Sequence, residues 1–81
     1  MSPRVRAVAT GPGYKLELTF SNGEQRSYDC TPLLGFGVFE ELRDEAYFRQ
    51  AAVLGGTVAW PHEQDICPDT LYLDSVPLSE G

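Results

Sequence analysis

One short stretch of this 81-residue chain sets its single histidine close in sequence to three carboxylates, groups able to move a proton or hold a cation: His62, Glu63, Asp65 and Asp69, just past Trp60-Pro61. An imidazole beside three carboxylates suits acid–base chemistry if all reach one reacting centre. The spacing matches neither a calcium loop nor the paired Cys/His pattern of a zinc site. These residues therefore read first as a solvated turn, with Asp69 near the positive end of a helical turn. A small-molecule or metal-binding site centred on this last hairpin stands as the alternative.

Nucleophilic catalysis needs a base beside the nucleophile, and the rest of the chain offers none. Cys30 and Cys67 lie 37 residues apart with no second cysteine near either, and His62 is the single histidine. Both cysteines fall at expected strand positions, where a thiol acts as a small hydrophobe, and they are expected to stay reduced. Gly11-Pro12-Gly13 and Gly35-Phe36-Gly37 lack the lysine and the strand-to-helix setting of a phosphate loop. No catalytic, cofactor-binding or metal-ligating residue is assigned, and no cofactor is expected. Trp60 suits either a binding anchor or a cap on a small core, and core packing is the reading favoured here.

Charge separates the two halves. The chain carries −6 overall. Through Phe39 there are four bases (Arg4, Arg6, Lys15, Arg26) and three acids (Glu17, Glu24, Asp29), giving +1; from Glu40 onward nine acids face only Arg43 and Arg49, giving −7. Phosphate backbones attract basic patches, so direct nucleic-acid binding is not expected. The acidic half suits a basic partner protein, and it also serves solubility. The candidate interaction residues are Trp60, His62, Glu63, Asp65 and Asp69, with Glu40, Glu41 and Glu45.

The elements that must position these groups begin with a hairpin. Tyr14, Leu16, Leu18 and Phe20 alternate with Lys15, Glu17 and Thr19, then run into Ser21-Asn22-Gly23. A two-residue loop would set Leu18 opposite Ser27 and Leu16 opposite Asp29, joining an oily face to a polar one. A three-residue loop with Gly23 left-handed pairs Leu18 with Arg26, Leu16 with Tyr28 and Lys15 with Asp29, so the three-residue loop is expected. A preceding strand is expected over 4–10, with Val5, Ala7 and Ala9 on one face. Val38, Phe39 and Leu42 should face inward on one helical turn. Asp44 should cap a helix over 45–51 carrying Tyr47, Phe48 and Ala51 on its apolar stripe. Strands are expected at 52–54, 57–60 and 65–67, and Pro68 should open a helical turn over 69–73.

The whole reads as one α+β domain over 1–81: a small antiparallel sheet of about five to six short strands, packed by one short α-helix and one or two helical turns. Its core should span about 4–73, with a tail over 74–81. No apolar run is long enough for a membrane helix, and the opening lacks a signal-peptide stretch, so a cytoplasmic address and no membrane partner are expected.

Thr57-Val58-Ala59-Trp60-Pro61 followed by Asp65-Ile66-Cys67-Pro68-Asp69-Thr70-Leu71-Tyr72 resembles the closing signature of the small bacterial domain-of-unknown-function family 2442. Tyr14-Lys15-Leu16, Leu18-Thr19-Phe20-Ser21-Asn22-Gly23-Glu24, Tyr28-Asp29, Gly37-Val38-Phe39 and Leu42-Arg43-Asp44 resemble its first half. The likeness runs from about Arg4 to Tyr72. Two departures stand out: His62-Glu63-Gln64 where the family tends to an Asn/Gly turn, and cysteines at 30 and 67 where aliphatic residues are usual. The resemblance implies a fold similar to the N-terminal domain of a group of helix-turn-helix-linked proteins. No such extension is expected here, so DNA binding is not carried over. It also implies a place in a two-gene pair similar to toxin–antitoxin modules, without catalytic residues to transfer.

The expected function is thus a non-enzymatic protein–protein interaction module, antitoxin-like, with a small basic partner. Homo-oligomerisation through an open sheet edge, at 4–10 or 65–67, stands as a third reading.

Overall fold

The computed structural model describes residues 3–78. Seven strands and two short helices follow in the order β1 Val5–Gly11, β2 Lys15–Phe20, β3 Gln25–Asp29, α1 Glu45–Phe48, β4 Ala52–Leu54, β5 Thr57–Ala59, β6 Asp65–Ile66, α2 Pro68–Leu73 and β7 Val76–Pro77. Two 3-10 segments, Thr31–Leu33 and Gly37–Arg43, bridge β3 and α1. The strands form two antiparallel sheets, ordered β1-β2-β3-β7 and β4-β5-β6. The α+β class holds, with two small sheets in place of one.

The β2–β3 hairpin takes the three-residue loop. Leu16 pairs with Tyr28, Leu18 with Arg26 and Lys15 with Asp29. Phe20 N donates to Glu24 O (2.9 Å), Gly23 N donates to Phe20 O (2.9 Å), and Gly23 sits at φ 91°. That left-handed position has no steric cost for glycine. Leu16, Leu18, Phe20, Tyr28 and Cys30 are buried together as one face.

The first strand departs from simple alternation. Val5 lies opposite Phe20 but Ala7 opposite Thr19, so Arg6 is the extra residue of a bulge. The bulge puts Val5 on the side of Val8 and Thr10, which face Leu18 and Leu16, and leaves Ala7 and Ala9 exposed. At its start β1 joins the two sheets: Val5 N donates to Gly56 O (2.8 Å) and Arg4 Nη1 to Gly55 O (2.8 Å). Gly55 and Gly56 have φ 61° and 84°, the primed turn a two-residue hairpin needs.

Asp44 caps α1 as expected, its Oδ1 accepting from Ala46 N (3.0 Å). The helix is shorter than 45–51, because Gln50 N and Ala51 N bond back three residues and tighten its last turn. Val38 is a correction. Its segment is 3-10, so Phe39 and Leu42, three apart, share the inward edge, while Val38 is exposed. Cys67 is a second: it precedes α2 and is exposed, and only Cys30 is buried.

The expected tail is also shorter. Val76 pairs with Ser27 and Pro77 with Arg26, and Ser75 is buried. Arg26 holds this return, donating from Nε to Ser75 Oγ (2.7 Å) and from Nη2 to Ser75 O (2.8 Å), with its guanidinium 4.8 Å from the Tyr72 ring centroid. The part of the tail over 79–81 lies outside the described residues.

One core serves both sheets. Leu16, Leu18 and Phe20 meet Leu42, Phe48, Val58, Ile66 and Leu71. Phe48 stands between Tyr14 (5.3 Å, edge-on) and Trp60 (6.1 Å). No helix of the described residues is long and apolar enough to cross a membrane.

Candidate functional site

The β5–β6 loop, residues 61–63, repeats the geometry of the first hairpin. Trp60 N donates to Gln64 O (2.9 Å) and Glu63 N to Trp60 O (3.1 Å). Glu63 occupies the left-handed position at φ 72°, where the earlier loop has Gly23. A side chain there costs about 1–2 kcal/mol of steric strain. A network that runs from the buried Tyr47–Gln64 pair out to the surface holds the loop in that shape.

Tyr47, reaching across from α1, is its hub. His62 N donates to Tyr47 Oη (2.9 Å), and Tyr47 Oη donates to Gln64 Oε1 (2.5 Å). Gln64 Nε2 donates to Val38 O (3.0 Å) and to Glu41 Oε1 (2.8 Å). His62 Nδ1 donates to the other oxygen of Glu41 (2.7 Å), and the Tyr47 and His62 rings lie 5.2 Å apart. Gln64 is 5% exposed with both ends of its amide satisfied. The acidic segment 40–45 is thereby fastened to the loop carrying His62 and Glu63.

The expected interaction residues separate into four groups. Glu41 and His62 are bonded to each other at the surface, and Glu63 follows on the same loop. Glu40 and Glu45 are exposed along the segment that Glu41 anchors, and Glu45 meets Arg49 at 3.7 Å. Asp65 and Asp69 are exposed on β6 and on the first turn of α2, outside the network. Trp60 is 4% exposed, and its Nε1 donates to Phe48 O (2.9 Å), so it is a core residue rather than a surface anchor.

His62, Glu63, Asp65 and Asp69 do not converge. Among the described residues no three His, Cys, Asp or Glu side chains stand close enough together to hold a metal ion. A concavity beside Trp60 is an apolar groove lined by Gln50, Ala52, Val53, Leu54, Ala59 and Pro61, without an ionisable side chain.

Tyr47 and Gln64 are the residues that reading the sequence for ionisable groups missed. Alternation carried a signal for Gln64: two positions before Ile66, it shares that residue's inward face, with Asp65 pointing out. Tyr47 was legible as core but not as a hydrogen-bonding centre, because its partners lie 15 and 17 residues away.

No curated protein and no solved structure matches this chain. The family described as protein of unknown function DUF2442 matches residues 5–77, from the first strand to the last, and the chain belongs to that family.

Proposed function

We infer that this domain is a non-enzymatic protein–protein interaction module that receives a small basic partner, in the manner of an antitoxin. The observation that carries the reading is the Tyr47–Gln64–Glu41–His62 network. It makes one rigid surface from the acidic segment 40–45 and the last loop, so Glu40, Asp44, Glu45 and Glu63 are held exposed on a fixed frame. Preorganised charge of predominantly one sign steers an oppositely charged protein and discriminates against wrong partners more than it adds raw affinity. The titratable groups here are spread over a surface and not gathered around a reacting centre, which favours recognition over turnover.

Affinity purification of the tagged chain from its native cells, read by mass spectrometry, tests this. A small basic protein should co-purify in near-stoichiometric amount. Its recovery should fall about fivefold when Glu40, Glu45 and Glu63 are all changed to Gln, because exposed charges contribute a few tenths of a kcal/mol each and act together. Empty purifications, or a partner retained equally by the triple variant, would refute the reading.

A further inference from the structure

Beside the acidic segment the chain exposes two large apolar side chains within one turn: Phe36, 61% exposed, and Val38, 69% exposed. Single exposed hydrophobics are ordinary on a protein surface, whereas two held two residues apart on an ordered backbone offer a ready docking point. The backbone is pinned on both sides of Phe36, which donates from N to Leu33 O (3.0 Å) and accepts at O from Phe39 N (2.9 Å). Arg43 Nε donates to Leu34 O (3.0 Å) and ties this apolar turn to the end of the acidic segment. The pair is therefore presented without the ordering entropy that a flexible loop would lose on binding.

We propose that Phe36 and Val38 are the apolar anchors of the partner-docking face, and that the face fits a cationic amphipathic segment. The proposal rests on the interaction reading above and names its surface. Charge selects the occupant. Glu40, Glu41, Asp44 and Glu45 follow the anchors against one cation of the same segment, Arg43, whose Nε is turned to Leu34 O, and the cation pairs among the acids are Arg49 with Glu45 and the His62–Glu41 contact. Glu40 has no cation within ion-pair distance among the described residues. A second copy docking through the same face would bring the same acids together, and a nucleic acid would bring phosphates, both like-charged. A segment with one apolar face and one basic face satisfies both halves of the surface.

Titration of the labelled chain with a peptide of about 14 residues built only from Leu and Lys, amphipathic as a helix, tests this by two-dimensional amide NMR. Saturable shifts are expected over residues 36–45, with none from the matched Leu/Glu peptide. Changing Phe36 and Val38 to Ser together should weaken binding about tenfold or more, as truncated anchors do. Both side chains are exposed, so the variant's amide spectrum should otherwise match the parent's. Shifts confined to 52–54 and the apolar groove would overturn this face while leaving the interaction reading standing. Equal binding by the double variant, or no shifts at all, would overturn it too. Failure of the interaction reading itself shows separately, as an empty purification from native cells.

Discussion

Tyr47 Oη is a single atom on which the last loop depends, since it accepts from the His62 amide and donates to the Gln64 carboxamide. Changing Tyr47 to Phe leaves both groups without that partner and should cost about 1–3 kcal/mol, read as a lower urea midpoint. Glu63 predicts the opposite sign. Its left-handed backbone favours glycine, so Glu63→Gly should stabilise by about 0.5–1 kcal/mol once the greater freedom of glycine in the unfolded chain is discounted. The cysteines give a chemical readout. Burial first, and then the nearby Asp29 charge, push the Cys30 thiol up to about 12, while Cys67 lies exposed. One thiol should react with a thiol reagent in the native protein and two after unfolding. A thiol whose titration is raised by folding stabilises the fold fully below its unfolded value. That contribution fades as pH climbs through the window from about 9 to about 12, by up to about 1.4 kcal/mol per pH unit. Cys30→Val should remove this part of the alkaline slope, leaving that of Tyr28, whose hydroxyl is pushed up mainly by burial.

Elements were legible where local rules and tertiary demands agree. The first hairpin's register follows from keeping Tyr28 and Cys30 beside the leucines, and the Asp44 cap follows from a short acceptor ahead of an apolar stripe. Replacing Asp44 by Ala should cost about 0.5–2 kcal/mol and loosen the four-residue α1, seen as faster amide exchange at Ala46 and Phe48. What escaped was set by geometry with no local signature. A bulge at Arg6 changes the facing of β1, and nothing in alternating small residues marks it. Val38 turned outward because its segment repeats every three residues, a period too close to 3.6 to distinguish over one turn. The return of Val76 and Pro77 to the sheet depends on Arg26, whose place opposite Leu18 on the oily face was the clue that it needed distant partners.

At the scale of the molecule, a nearly neutral four-stranded sheet shares its core with an acidic second half whose charges lie outside that core. The charge division was plain in the sequence. The fixing of the acidic segment to the last loop was not, because it is made by Tyr47 and Gln64, neither of which carries charge. The most direct test of the account is the native size of the tagged chain in extracts of its own cells, measured by size-exclusion chromatography at low and high salt. At low salt it should elute well above 8.9 kDa, together with a basic protein, and shift toward the free chain as salt screens the contact. Elution as the free chain at both salt levels, or as a salt-insensitive assembly of identical copies, would contradict it.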